Sequence, residues 1–175
     1  MHAVLRRSPA QISALFDTVY VSFYKGLGGL AGACLAGEPE LIAEARAWRK
    51  PQGGTLFGLW PNAASGLAAL RKRLPLMPRY FEHACAIAEA LRGVPNVEVV
   101  PDPPQAPMMH LQLRVGETAF LAAARRIAEE HSIFTWLHTS PGDTPTARVV
   151  ELAVGDATLE LAPEEVTTIV RQLVS

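Results

Sequence analysis

The sequence predicts an α/β chain that closes with a small α+β unit. Residues 18–24 and 31–36 are rich in β-branched, aromatic or small apolar side chains, which favours two strands in the first part. Helical periodicity follows them, and from Val97 the pattern changes to short strands interleaved with helices. With 175 residues and 49% hydrophobic content, the chain is long enough to bury a substantial core.

The elements of the first part carry their own start and stop signals. Ser8 and the Pro9 that follows it predict a short capped helix. The two strands are expected to be buried and to be separated by a glycine-rich turn at residues 26–29. A second helix begins with Pro39 in its first turn and ends near Lys50, where basic side chains complement the helix dipole.

In the second part of the chain, the sequence pattern predicts two helices and then a strand-rich unit. The helices cover about residues 62–74 and 78–91, and apolar side chains recur along one face of the second. The expected core stripe of that helix is Phe81, Ala84, Cys85, Ala88 and Leu91. The unit beyond it has expected strands at 97–100, 109–115, 133–137 and 148–154, a helix through Phe120 and Ile127, and a final helix that starts at Pro163 and covers the sheet.

The charge balance excludes several classes of partner. Sixteen basic and 17 acidic side chains give a net charge of -1, so no basic surface for nucleic acid or for a membrane is expected. A small molecule or another protein is the expected partner. Cys34 and Cys85 show no CxxC spacing, and no signal peptide is recognisable, which together favour a cytoplasmic location.

One lysine stands out by its position between a strand and a turn. Lys25 follows the β-rich segment 18–24 directly and precedes the glycines of residues 26–29. Partial desolvation there would favour the neutral amine, which is the form that condenses with an aldehyde. On spacing alone, a lysine that ends a strand in solvent is the commoner outcome.

Residues 17–32 resemble the cofactor-lysine segment of the threonine aldolase and β-eliminating lyase family, in which an aspartate-led strand ends in S-x-x-K-G-L-G. The resemblance continues through the helix that ends at Arg49-Lys50, the Gly53-Gly54 pair and the next helix. It implies a pyridoxal 5'-phosphate (PLP) enzyme of fold type I. Residues 1–75 would then be a remnant of the large PLP-binding domain with a bridging helix, and residues 76–175 the small C-terminal α+β domain.

The same resemblance implies roles for four residues. Lys25 would bind the cofactor covalently and act in catalysis, and Arg148 would bind the substrate carboxylate through its planar fork. The alternative for Arg148 is a surface ion pair with Glu151 or Glu160. Arg49 and Lys50 would lie near the cofactor phosphate or the active site of a neighbouring subunit, although basic residues in a last helical turn also need no ligand.

The activity implied by the family is aldol cleavage of a β-hydroxy-α-amino acid, threonine or allo-threonine, to glycine and an aldehyde. Two alternatives stay open: β-elimination by a PLP lyase, and a non-catalytic fragment that serves as an association module. The family places the phosphate cradle, the ring plate and the acid on the pyridine nitrogen upstream of the lysine, so this chain is expected to act only within a complete enzyme. A homo-oligomer, dimer or tetramer, is expected, and the histidine spacing predicts no metal site.

Overall fold

A computed structural model of the protein describes residues 7–175. These residues divide into two compact units, residues 7–77 and Pro78–Ser175. We call them the hairpin unit and the sheet unit. None of the helices in the described part of the chain is long and apolar enough to cross a membrane.

The hairpin unit contains three α-helices and a two-stranded antiparallel sheet. Its order is α1 (Pro9–Ser13), β1 (Thr18–Ser22), β2 (Ala33–Gly37), α2 (Pro39–Arg49), α3 (Trp60–Arg73) and a 3₁₀ turn (Leu74–Leu76). Each α-helix has proline in its first turn, where the missing N–H would have no partner in any case. Ser8 and Gln11 form a capping box on α1, which confirms the predicted capped helix.

The strands of the hairpin unit form where the sequence predicts them, but the expectation that they are buried is wrong. β1 ends at Ser22, two residues earlier than predicted, and β2 is exposed along its whole length. Tyr20 pairs with Leu35 across the two strands, and both side chains are largely in solvent. A two-stranded sheet has no second layer of its own to cover its faces, so composition alone predicted more burial than the hairpin achieves.

The sheet unit has a four-stranded antiparallel sheet with strand order β3-β4-β6-β5. The elements are α4 (Met77–Leu91, which starts at the boundary), β3 (Val97–Val100), β4 (Met108–Leu113), α5 (Glu117–His131), β5 (Ser140–Pro141), β6 (Arg148–Ala153), a 3₁₀ turn (Thr158–Glu160) and α6 (Pro163–Leu173). The final helix begins at the predicted proline. Helices α5 and α6 pack against each other.

A continuous apolar core holds the sheet unit together. Its largest fully buried side chains come from α4, β4, α5 and α6: Tyr80, Ile87, Leu91, Met109, Leu111, Leu113, Phe120, Ile127, Val170 and Leu173. The stripe expected on α4 is correct for Ala84, Ala88 and Leu91, whereas Phe81 and Cys85 are only partly buried. Tyr80 belongs to this core because its hydroxyl donates a hydrogen bond to Asp156, which satisfies the polar end of a buried ring.

The strand expected at residues 133–137 does not form. The segment runs as an irregular chain, and the indole Nε1 of Trp136 donates a hydrogen bond to the carbonyl of Glu151 at 2.6 Å. Its side chains line an apolar cavity of about 360 Å³ that Val170 also lines. Apolar composition predicted a strand, but a strand also needs a backbone partner, and here the side chains make the contacts instead.

The assignment of residues 1–75 and 76–175 to the large and small domains of a PLP enzyme stays a prediction. What the described residues show is an exposed hairpin with its helices and, separately, a well-packed α+β sheet unit.

Candidate functional site

Lys25 lies in a tight loop just after β1, which ends at Ser22. The carbonyl of Lys25 accepts a hydrogen bond from the backbone N–H of Gly28 at 2.7 Å, and the carbonyl of Phe23 accepts one from Gly29 at 2.7 Å. Gly28 has a φ of +68°, a conformation that glycine adopts without strain. The glycines therefore let the chain reverse direction immediately after the lysine.

The side chain of Lys25 is exposed, so the expected partial desolvation does not occur within this chain. Its amine has no hydrogen-bond or ion-pair partner in the part of the chain that the structure describes. A Cβ placed on Gly26 or on Gly32 would meet no atom within 4 Å. The lysine amine is therefore accessible to an aldehyde.

Helix α3 supports this loop from within the hairpin unit. The hydroxyl of Ser65 accepts a hydrogen bond from the backbone N–H of Leu30 at 3.0 Å. Arg73 Nη1 donates to the carbonyl of Leu27 at 2.8 Å. Gly66 lets the ring of Phe23 approach closely, because a Cβ there would lie 3.3 Å from Phe23 Cγ. Sequence reasoning missed all three supports, and the only available signal was a glycine inside a helical pattern.

Arg148 begins β6 in the sheet unit, opposite Leu113 of β4. Its Nη2 lies 3.4 Å from Oε2 of Glu117, so its acidic partner among the described residues is neither Glu151 nor Glu160, which the ion-pair alternative named. The Nε atom of Arg148 is buried and has no hydrogen-bond partner among residues 7–175. An unsatisfied buried donor is costly, but this Nε has almost no accessible surface, so a ligand could reach it only after the side chains around it move.

Arg49 and Lys50 lie at the C-terminal end of α2 and are exposed. The carbonyl of Arg49 accepts from Gly54 at 2.8 Å and that of Lys50 from Gly53 at 3.1 Å, which ends the helix in a glycine turn. Both side chains are placed to interact favourably with the helix dipole. A contact with the cofactor phosphate or with a neighbouring subunit stays a prediction for this pair.

The described histidines and acidic residues form no group that could hold a metal ion. His131 lies at the end of α5, 3.9 Å from Glu130, and His138 is exposed. His110 lies 3.9 Å from Glu151 on the sheet. Of these three, His110 and His131 each lie near a glutamate carboxylate.

An ion pair in the sheet unit has a distinct titration behaviour. Arg92 donates two hydrogen bonds to Asp102, from Nε at 2.9 Å and from Nη2 at 2.8 Å, and also contacts Glu89. These hydrogen bonds, more than the charge itself, hold the pKa of Asp102 below its usual range. Elsewhere in this unit, burial raises the pKa of the Cys85 thiol, which makes that cysteine less reactive.

The β-eliminating lyase family model matches residues 3–114 of the chain, a range that contains the Lys25 loop with its helical support and reaches into the sheet unit. The chain belongs to this family. Its members are PLP-dependent lyases of the threonine aldolase type, which confirms the resemblance drawn from residues 17–32.

Three relatives show how far the similarity extends. The chain is 34% identical over 74 residues, 42% of its length, to a candidate low-specificity L-threonine aldolase of Schizosaccharomyces pombe, and covers 20% of it. A candidate aromatic amino acid β-eliminating lyase/threonine aldolase of Exiguobacterium sp. 255-15 has a solved structure with a TM-score of 0.88 and 32% identity. A candidate L-allo-threonine aldolase of Listeria monocytogenes EGD-E gives the same two values.

The two solved structures also show how much of such a protein this chain represents. In both comparisons, 99% of this chain is covered but only 48% of the other chain. The chain therefore spans about half the length of these relatives, and its fold is that of their α/β architecture.

Proposed function

We propose that the chain supplies the cofactor lysine and the substrate-carboxylate arginine of a PLP-dependent aldehyde-lyase. The substrate would be a β-hydroxy-α-amino acid, threonine or allo-threonine, which is cleaved to glycine and an aldehyde. The observation that carries the proposal is the Lys25 loop, in which an exposed amine without a partner among the described residues follows a strand and precedes a glycine turn. The chain would perform this function as part of a complete enzyme.

Lys25 would act through its neutral amine. Nζ is the group that would hold the cofactor covalently through its aldehyde. With substrate bound, the same amine would accept or donate a proton beside it. Bound PLP supplies an electron sink that stabilises negative charge at the substrate α-carbon.

Arg148 would bind the carboxylate of the amino acid. Among the described residues Nε has no partner and Nη2 lies 3.4 Å from Glu117, so the fork would suit the two oxygens of a carboxylate once Nε is uncovered. Binding of a substrate carboxylate would then compete with Glu117 for Nη2. A fixed carboxylate orients the scissile bond, which is a large part of rate enhancement in such reactions.

A second candidate is β-elimination from a cysteine- or tryptophan-like substrate. The description of the matching family and of the Exiguobacterium relative both name β-elimination. The same lysine serves either reaction, and the products tell them apart. Aldol cleavage releases glycine and an aldehyde, whereas elimination releases pyruvate, ammonia and the substrate's leaving group.

Selective labelling tests the role of Lys25, because the other lysines, Lys50 and Lys72, serve as internal controls. Purified chain is titrated with PLP, the product is reduced with borohydride, which adds hydride at the aldehyde-derived carbon, and each lysine's modification is quantified by peptide mass. We expect Lys25 to be labelled several-fold faster than Lys50. Equal labelling of the lysines would contradict a special role for the Lys25 loop.

Turnover is then measured for the chain alone and for the chain mixed with the half of a relative that it does not match. Glycine and acetaldehyde from L-threonine and L-allo-threonine are assayed for the chain alone, and after mixing with the unmatched half of the Listeria protein. We expect negligible turnover by the chain alone, and turnover in the mixture that Lys25→Ala abolishes. Turnover by the unaccompanied chain that depends on Lys25 would refute the half-enzyme proposal, and an assembled mixture without turnover would favour the association module.

A further inference from the structure

We infer that Arg73, at the end of α3, is a positioning residue that holds the Lys25 loop in the conformation that presents the lysine amine. This inference rests on the proposed cofactor role of Lys25, but its structural part stands on the contacts of Arg73 alone. Arg73 lies 46 positions beyond the residue whose carbonyl it contacts, so the support is purely tertiary.

The guanidinium of Arg73 contacts the turn at two places. Nη1 donates to the carbonyl of Leu27 at 2.8 Å, and Leu27 is the buried apolar side chain of this loop. The same Nη1 atom lies 1.5 Å from the position that a Cβ on Gly28 would occupy. The guanidinium therefore fills the space that a side chain at residue 28 would take, and it lies against the backbone of the turn.

These contacts add to the hydrogen bonds that the loop makes within itself. The carbonyls of Phe23 and Lys25 are used within the turn by Gly29 and Gly28, at 2.7 Å each. The carbonyl of Leu27 receives its hydrogen bond from Arg73, and a partly buried carbonyl without a donor destabilises its conformation. Loss of the guanidinium would therefore favour alternative turn conformations, in which Lys25 points elsewhere.

Helix α3 holds the loop on both sides of the glycine turn. Arg73 binds it at Leu27, and Ser65 binds it at Leu30 through a 3.0 Å hydrogen bond. Since both anchors project from one rigid helix, the distance between them is nearly constant, and the glycines between them cannot drift independently. The orientation of Lys25, just before this stretch, then depends on α3.

The position of Arg73 is not explained by the helix dipole alone. Arg71 lies in the same last turn and complements the dipole equally well, yet it is exposed. Arg71→Met is therefore a matched control that removes one positive charge from the same helix end without touching the loop.

The test measures the loop directly in the full chain. Backbone hydrogen exchange of Gly28 and Gly29 is compared in wild type, Arg73→Met, Arg73→Lys and Arg71→Met, and each protein is also labelled with PLP and borohydride. We expect Arg73→Met to raise exchange at both glycines about tenfold, as loss of a charged hydrogen bond predicts. Its labelling of Lys25 should fall toward that of Lys50. Arg73→Lys, which keeps one donor, should restore part of both effects, and Arg71→Met should match wild type.

The outcomes separate this inference from the proposed function. Unchanged exchange at Gly28 and Gly29 in a folded Arg73→Met protein would overturn the inference, and so would exchange that rises equally across β1, β2 and α3. Selective labelling of Lys25 in wild type together with either result would leave the proposed function intact. Conversely, exchange at Gly28 and Gly29 could rise in Arg73→Met while Lys25 of the wild type is labelled no faster than Lys50. That result would support the positioning role of Arg73 and refute the cofactor role of Lys25. Should Arg73→Met fail to fold, Arg73→Lys against Arg71→Met decides the question by the same readouts.

Discussion

The hairpin unit and the sheet unit use apolar residues in opposite ways. In the sheet unit, side chains such as Phe120, Leu111 and Leu173 are fully buried in a common core. In the hairpin unit, Leu27 is the buried apolar side chain among the described residues, while Tyr20 and Leu35 are exposed to 61% and 41%. Both units nevertheless form regular helices and strands.

The contrast shows that local sequence signals can specify helices and strands whose side chains are not buried. Proline at helix starts, glycine turns and strand composition specify the elements of the hairpin unit without a deep core. The hairpin unit is also the part that carries Lys25. An exposed apolar hairpin beside a candidate cofactor lysine is a surface on which another polypeptide could pack.

The largest effect expected from this contrast concerns two phenylalanines. Phe120→Ala removes a fully buried ring from the sheet unit and should lower the free energy of unfolding by about 3–5 kcal/mol. Phe57→Ala removes a fully exposed ring from the hairpin unit and should change it by less than about 0.5 kcal/mol. Urea unfolding followed by far-UV circular dichroism, which reports both units, measures both variants. Equal losses would contradict the contrast, because an exposed ring would then contribute as much stability as a buried one.

Self-association should depend on the exposed hairpin. Tyr20 and Leu35 are opposite each other in the register, so Tyr20→Lys combined with Leu35→Glu replaces one apolar face with an opposite-charge pair and keeps the strand pairing. We expect copies of the chain to associate. The double variant should raise the dissociation constant of the associated form by about tenfold or more, which corresponds to about 1.4 kcal/mol.

Light scattering over a concentration series measures this association. Leu137→Glu, at an exposed apolar position of the sheet unit, is the control and should leave the association unchanged. A wild-type chain that stays a monodisperse monomer would show that the exposed hairpin is tolerated without a partner.

The smallest expected effect is the pH dependence of the Arg92–Asp102 pair. Because Arg92 lowers the pKa of Asp102 in the folded state, the pair stabilises the protein above the unfolded pKa of about 3.9. As the pH falls through the lowered folded pKa, that stabilisation is lost. The urea midpoints of wild type and Asp102→Asn should therefore differ at neutral pH and converge in acid. A difference that persists in acid would assign the effect to packing, and one that vanishes in high salt would mark it as a screened surface pair.

Much of the secondary structure could be predicted because its signals are local. The helix starts at Pro39 and Pro163, the turn after Lys25 and the strand at Val97–Val100 all follow from residues next to one another in the sequence. The strand expected at residues 133–137 could not be excluded in this way, because whether it pairs depends on backbone partners that lie far along the chain.

The chemistry of the candidate site could be predicted from the sequence, but the contacts that hold the Lys25 loop could not. The sequence by itself determined that Lys25 follows a strand and precedes a glycine turn, and its motif identified the family. Only the tertiary structure decided that Arg73 and Ser65 hold that turn and that Glu117 pairs with Arg148. The physical reason is distance along the chain: a turn is encoded by neighbouring residues, whereas a hydrogen bond between positions 27 and 73 exists only once a helix has docked against the loop.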